Sequence, residues 1–427
     1  MRLRRDAPWL ALTILTAIST IGFIDRIVLN VLAVPIQAEF GLSDTEVGLL
    51  TGLAFAVLNV TLGIFVARQA ERRHRLSLIA VGTFLWSIAT ALCGMVTTFW
   101  QLLLARIGVG VGEAIGLPAN QSVVADYFPP EKRATAISVL LLAPPIGAFI
   151  GSALGGWIGQ EHGWRTAFIV FMVPGVLLAL AAWVFVAEPP RGRYDKESSA
   201  EVPSIGAVLQ RLFALPSARN LLGGSTLASL GGFGLNSFMA FLLIRKFDFS
   251  LAEAGLFAGL LASLPGALSV VLGGRLADRF GARRLQAYAE LPGYCLVIAA
   301  PIYIFAITRD DVTLLLSLVF VAALFQYTYL GVTFGVFQNL LHSRMRATGS
   351  AVLNAIYSLL GQGLGPLVVG MLSDRLARNY GAGDGLAFAM AITAVLYFWA
   401  AAHYLLAARH IGPDMARVRG EAAPAAA

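Results

Sequence analysis

The chain has 427 residues, 58% of them hydrophobic and only 13% charged, with a mean hydropathy of +0.76, whereas soluble domains carry about 25% charged residues. So apolar a composition excludes secreted enzymes, nucleic-acid binders and single-anchor receptors. Twelve spans of ~20 residues, the length that crosses a hydrocarbon core, would use roughly 240 residues and leave connectors and tails. The 44 glycines point to helices packed closely through small residues.

In chain order, the apolar runs predict spans at 8–34, 46–66, 77–96, 101–127, 134–160, 165–187, 218–244, 251–273, 286–307, 312–341, 348–372 and 385–408. Met1-Arg-Leu-Arg-Arg before an apolar run looks like a secretory leader, and Ala17-Ile18-Ser19 like its cleavage site. The run is too long for a leader and carries Asp25 and Arg26, so it reads as a retained first helix. With both termini on one side, that side collects 23 of the 31 Lys and Arg, while Arg165, Arg245, Lys246, Arg309, Arg375 and Arg378 fall on the other. The positive-inside rule then expects cytoplasmic termini in the inner (plasma) membrane. The net charge of +7 reports topology, not a nucleic-acid partner. Cys93 and Cys295 lie in apolar spans of different halves and read as buried small hydrophobes. Nothing predicts a metal site, a cofactor or the triad of an enzyme, and all five histidines lie at or near span ends.

The polar stretch from Glu188 to Ser204 separates two sets of six spans. The expected division is an N-terminal six-helix bundle over 1–187, a cytoplasmic linker over 188–217 with a surface helix near 205–215, and a C-terminal six-helix bundle with a short tail over 218–427. Internal repetition supports it. Phe40-Gly-Leu-Ser-Asp-Thr-Glu-Val-Gly-Leu-Leu-Thr-Gly52 matches Phe247-Asp-Phe-Ser-Leu-Ala-Glu-Ala-Gly-Leu-Phe-Ala-Gly259 at Phe, Ser, Glu, two Gly and a Leu. Parallel halves of this kind are one architecture of secondary transporters, with the site near the membrane midplane.

Gly274-Arg-Leu-Ala-Asp278-Arg279-Phe-Gly281-Ala-Arg283-Arg284 resembles the cytoplasmic loop signature of the major facilitator superfamily. Its Asp278, Arg279 and Arg283 have the chemistry of a charge-assisted latch. The first-half copy, Gly63-Ile-Phe-Val-Ala67-Arg68-Gln-Ala-Glu71-Arg72-Arg73, has Ala67 at the aspartate position. There Arg68 and Arg72, with Asp126 at the end of the fourth span, are the latch candidates. A narrower resemblance is to the spinster family. It is carried by Asp25-Arg26, Gly112-Glu113-Ala114, Ala125-Asp-Tyr-Phe-Pro-Pro130, Gly163-Trp-Arg-Thr-Ala-Phe168, Glu188-Pro-Pro-Arg-Gly192, Arg346-Ala-Thr-Gly349 and Gly363-Leu-Gly-Pro366. The resemblance implies an all-α integral membrane protein with twelve transmembrane helices in two pseudo-symmetric bundles. It also implies a monomer, alternating access, lipid-like substrates and, in bacterial members, proton coupling.

Four charges lie well inside predicted spans: Asp25 and Arg26 in the first, Arg106 and Glu113 in the fourth. Each costs about 2.5 to 3.5 kcal/mol or more at a helix centre unless it finds a partner or water. Arg106 and Glu113 are seven residues apart, on one helix face about 10.5 Å apart. In the superfamily's arrangement the first and fourth helices line the cavity, so the four residues are expected in one cluster. Asp25 and Glu113 are the proton-titrating candidates and Arg26 and Arg106 their counter-ions or headgroup ligands, because arginine keeps its charge. Neutral polar candidates for the substrate cavity lie in the second half: Asn236, Gln326, Tyr329, Thr333, Asn354 and Tyr357. A charged half with a neutral aromatic half suits an amphipathic lipid such as a lysophospholipid or sphingoid lipid. It suits the substrate of a proton-coupled multidrug or organic-anion transporter equally well, and a non-transporting lipid sensor is the reading from another class.

Overall fold

The computed structural model describes residues 7–57, 60–61, 74–191, 193–194, 205–341 and 345–422. Every regular element among them is helical. Hydrocarbon offers no partner to a peptide N–H or C=O, and a helix pairs both within its own segment. α1 (Pro8–Phe40) opens on a proline and closes on Gly41, whose φ of 64° returns its N–H to Gln37. α2 (Asp44–Gly48) runs into a π-helical turn at Leu49–Leu53. Then come α3 (Arg75–Cys93), α4 (Phe99–Tyr127), α5 (Pro130–Leu140), α6 (Ala143–His162) and α7 (Trp164–Phe185). The second part holds α8 (Ile205–Ala214), α9 (Pro216–Phe247), α10 (Leu251–Gly281), α11 (Ala287–Ile307), α12 (Val312–Gln326) and α13 (Thr328–Asn339). α14 (Arg346–Ile356) leads through a π-helical turn at Tyr357–Gly363 to α15 (Leu364–Ala394) and α16 (Leu396–Ala422).

Ten helical runs among the described residues are long and apolar enough to cross a membrane. The predicted spans map onto them with two exceptions. The second, 46–66, extends into residues outside those described, and the last two fall in one run, 352–418, that turns at Gly381 (φ 80°). Two predicted spans are broken: 134–160 at Leu141–Leu142, ahead of Pro144-Pro145, and 312–341 at Tyr327.

The aligned Ser and Glu of the sequence repeat do the same work twice. Glu46 N–H donates to Ser43 Oγ at 3.2 Å and Ser43 N–H to Glu46 Oε2 at 2.8 Å, and Ser250 and Glu253 repeat the exchange at 3.3 and 2.9 Å. Both are capping boxes that start a helix.

The chain divides into two compact units: residues 1–198 with 239–263, and residues 199–238 with 264–427. In the first, α6 lies against α1 along Gly147, Gly151, Gly155 and Gly159. A Cβ on Gly147 would stand 2.5 Å from Phe23 Cβ and one on Gly155 2.6 Å from Val28, so small residues set the approach of these helices. The opposite edge of α6 meets the start of α10, where a Cβ on Gly255 would stand 2.4 Å from the Ser152 carbonyl. In the second unit, α9 and α15 cross at Gly234 and Gly365 in the same way. There Ser217 at the start of α9 donates from N and Oγ to Asp414 Oδ2, at 2.9 and 2.5 Å.

Candidate functional site

The first unit brings Asp25, Arg26, Arg106 and Glu113 together. Arg26 Nε donates to Glu113 Oε2 at 2.5 Å, and Arg106 Nη1 donates to the main-chain carbonyl of Asp25 at 2.9 Å. Both guanidinium groups lie over one ring, Phe55, at 4.7 Å for Arg26 and 5.9 Å for Arg106. Arg26 also lies 5.1 Å from the centre of Phe23. Aromatic faces attract cations, more strongly where water is excluded. Phe55 follows the π-helical turn of residues 49–53; such turns recur at functional sites.

The close approach of α3 and α4 is set by Gly112, beside which Trp86 lies so near that an added Cβ would stand 2.6 Å from Trp86 Cβ. Glu113, the next residue, is therefore pressed among α1, α3 and α4. Asp25 and Arg106 are each 1% exposed and Glu113 is 2% exposed, whereas the Arg26 side chain is 12% exposed. Arg26 is thus the most exposed member of the set. Glu113 Oε1, Arg106 Nε and Trp86 Nε1 meet no hydrogen-bond partner among the described residues, while the Asp25 carboxylate faces the Thr90 hydroxyl. Unpaired buried polar atoms cost about 1 to 3 kcal/mol each.

The second unit holds a network of neutral polar and aromatic groups. Asn236 Nδ2 donates to Tyr327 Oη at 2.7 Å, Tyr303 Oη donates to Gln326 Oε1 at 2.8 Å, and Thr333 and Tyr404 share a hydrogen bond of 2.5 Å. Tyr329 packs against Tyr404 with ring centres 6.4 Å apart, and Tyr357 edges Phe233 at 5.5 Å. Gln326 Nε2 and Tyr397 Oη meet no partner among the described residues. Gln326 lies at the end of α12 and Tyr329 and Thr333 in α13, because the chain breaks at Tyr327 within the predicted span 312–341. Asn354 is exposed, and among the described residues no hydrogen bond joins it to this network.

Of the latch candidates, Asp126 is bound by Arg75, which in the sequence is one more loop charge. Arg75 donates to Asp126 Oδ2 at 2.5 Å, Ser122 Oγ at 2.8 Å, Glu188 Oε1 at 2.7 Å and the Pro189 carbonyl at 3.2 Å. Asp278, Arg279 and Arg283 are exposed; Tyr288 Oη donates to Asp278 Oδ1 at 3.5 Å. Beyond them Arg284 pairs with Glu290. Arg68 and Arg72, with Ala67, lie outside the described residues.

The sequence model of the Major Facilitator Superfamily matches residues 14–366. The chain is 30% identical to an MFS-type efflux pump of Mycolicibacterium smegmatis, over 94% of this chain and 93% of that one. It is 24% identical to the sphingosine-1-phosphate transporter of Danio rerio, over 88% and 78%. The crystal structure of a bacterial homolog of the human lysosomal transporter spinster, inward-facing and unoccupied, matches with a TM-score of 0.87 at 33% identity, covering 95% of this chain and 98% of that one. Likeness across this much of both sequence and fold, over the helices that carry the buried charges, makes the chain an integral membrane transporter of the major facilitator superfamily, of the spinster-like kind.

Proposed function

We propose that the chain is a proton-coupled transporter that works by alternating access and carries amphipathic lipid-like substrates, lysophospholipids or sphingoid lipids. The observation that carries this reading is the short Arg26–Glu113 pair in a buried set with more polar atoms than partners. While Glu113 is ionised it competes with any anionic headgroup for Arg26. A proton on Glu113 removes that competition and frees the guanidinium for the headgroup. Arginine cannot give up its own charge, so Glu113 and Asp25 are the titrating members and Arg26 and Arg106 the headgroup ligands. In the second unit Gln326 Nε2 and Tyr397 Oη, which meet no partner among the described residues, are the candidate donors to an uncharged oxygen of the substrate. Asn236, Tyr329, Thr333, Asn354 and Tyr357 complete the candidate contacts. The sphingosine-1-phosphate transporter among the relatives supports a lipid with an anionic head.

The efflux pump among the relatives favours a second reading, a proton-coupled multidrug or organic-anion transporter. In either reading the loop charges favour cytoplasmic termini, and we take the protein to work as a monomer in the inner membrane. Asp126, Asp278, Arg279 and Arg283, with Arg68 and Arg72, would close the cytoplasmic side.

The test is transport into liposomes under an imposed proton gradient, with a lysophospholipid, a sphingoid lipid and a cationic dye offered in parallel. Uptake of a lipid that stops in Glu113→Gln supports the first reading. Uptake of the dye alone supports the second, and lipid uptake that ignores both the gradient and Glu113→Gln overturns the coupling.

A further inference from the structure

We infer that Phe55 is a positioning residue of the site: its ring keeps the Arg26 guanidinium in place when a proton on Glu113 ends their pairing. The inference rests on the proposed reading of Glu113 as a titrating group and Arg26 as a headgroup ligand. Phe55 is 1% exposed and rests on α4 at Gly110, where an added Cβ would stand 3.4 Å from the Phe55 carbonyl and 3.5 Å from its ring carbon Cδ2. Gly110 lies four residues beyond Arg106 and three before Glu113, so the three share one face of the helix. The ring thus packs between two charged side chains, against a residue that has none. There it meets the Arg26 guanidinium of α1 at 4.7 Å and the Arg106 guanidinium of α4 at 5.9 Å.

Arg26 is held by contacts of two kinds. Among the described residues its only hydrogen bond runs from Nε to Glu113 Oε2, and its guanidinium lies over two rings, Phe23 at 5.1 Å and Phe55 at 4.7 Å. The hydrogen bond is conditional, because a proton on Glu113 takes away the negative charge that holds Nε. The rings are not conditional. A benzene ring neither titrates nor carries net charge, and its face attracts a cation most strongly where water is excluded.

The two rings do different work. Phe23 is three residues before Arg26 on α1, so it travels with Arg26 and cannot fix it relative to α4. Phe55 comes from another segment, just after the π-helical turn of residues 49–53, and meets α4 at Gly110 and Arg106. It therefore keeps the released guanidinium beside α4, and it keeps Arg106 near although the two cations repel. An anion then meets a guanidinium already in place. Binding is spared the cost of ordering a long side chain, which is the gain that preorganisation gives.

The test is titration calorimetry of a long-chain alkyl sulfate on the full chain in detergent, in the Glu113→Gln background, where the carboxylate hold is absent at every pH. Phe55 is replaced by phenylalanines carrying one, two and three ring fluorines, which weaken the attraction for a cation with little change of size. Affinity should fall with each fluorine, to roughly tenfold below the unfluorinated chain, whereas a merely structural ring would leave it level. Phe55→Leu should lose at least as much, and if that variant does not fold the fluorinated series carries the test. Level affinity across the series, with binding still lost in Arg26→Gln, overturns the role of Phe55 alone. A fluorine dependence that persists in Arg26→Gln moves the ring's role to Arg106 and overturns it as well. Undiminished binding in Arg26→Gln overturns the headgroup reading and the inference together.

Discussion

Arg245, at the end of α9, grips Asp44, at the start of α2, with both terminal nitrogens: Nη1 to Oδ2 at 2.8 Å and Nη2 to Oδ1 at 2.6 Å. Nη2 also reaches Gln37 Oε1 at 2.6 Å, and Gln37 Nε2 donates back to Asp44 Oδ1 at 2.7 Å. Within the first unit this contact ties residues 239–263 to the turn between α1 and α2. A two-pronged grip of this kind depends on the planar guanidinium, which lysine lacks.

Arg245→Gln and Asp44→Asn should each lower the thermal unfolding midpoint in detergent, and the double variant should fall no further than the worse single. The double-mutant cycle should give a coupling of about 1 to 3 kcal/mol. Additive losses would mean that the two side chains stabilise the unit separately.

Arg75 joins the start of α3 to the end of α4 and to Glu188 after α7, with four acceptors on different sides of one guanidinium. The side chain is 4% exposed. Removing one partner of a buried ion pair costs about 3 to 5 kcal/mol, because the other charge is left stranded. Arg75→Lys should therefore be nearly as destabilising as Arg75→Gln, since a single ammonium cannot reach acceptors so spread. Chemical denaturation of the detergent-solubilised variants measures the difference, and a Lys variant at wild-type stability would contradict it.

These two contacts also mark where the sequence stops being legible. Arg75 and Arg245 read only as loop charges, because their acceptors Asp126 and Asp44 lie 51 and 201 residues away and no local pattern encodes such distances. The four buried charges stood out for the opposite reason: at a helix centre a charge without a purpose is too costly to keep. Hydropathy located where the apolar stretches end, not where the helices end. α1 continues through Gln37 and Glu39 to Phe40, and α16 runs on to Ala422. The tyrosines of the second unit were invisible as a network, since a tyrosine in an apolar run looks the same facing lipid or facing Gln326. The break at Tyr327 had no breaker residue to announce it. By contrast the aligned Ser and Glu of the repeat were readable, because a capping box is made within four residues of chain.

Proton uptake by Glu113 should set the pH dependence of anion binding, and its sign follows from the Arg26 contact. Ionised Glu113 holds Arg26, so an anionic amphiphile should bind more tightly as pH falls. In Glu113→Gln the affinity should be high and lose most of its dependence on pH, Asp25 leaving the remainder, and in Arg26→Gln it should be weak at every pH. A long-chain alkyl sulfate is the suitable probe, because its own charge does not change over the range tested. Titration calorimetry in detergent measures this. Tighter binding as pH rises would reverse the assignment.

Gly112 holds Glu113 in place through the packing of α3 on α4. A Cβ there would stand 2.6 Å from Trp86 Cβ and 2.8 Å from Trp86 N, and neither atom can swing aside as a side-chain tip can. Gly112→Ala must push the two helices apart, at a cost of about 1 to 3 kcal/mol, and carries Glu113 away from Arg26. Gly335 in α13 is the contrasting case, with nothing within 4 Å of an added Cβ. There Gly→Ala replaces the poorer helix former with the best and should be neutral or stabilising by up to about 1 kcal/mol. The expected order is a lowered unfolding midpoint and reduced liposome transport for Gly112→Ala, with Gly335→Ala at or above the wild type in stability. If Gly112→Ala keeps the wild-type midpoint, α3 and α4 have slack that the crossing at Trp86 does not show, and the Arg26–Glu113 pair is not held by that crossing.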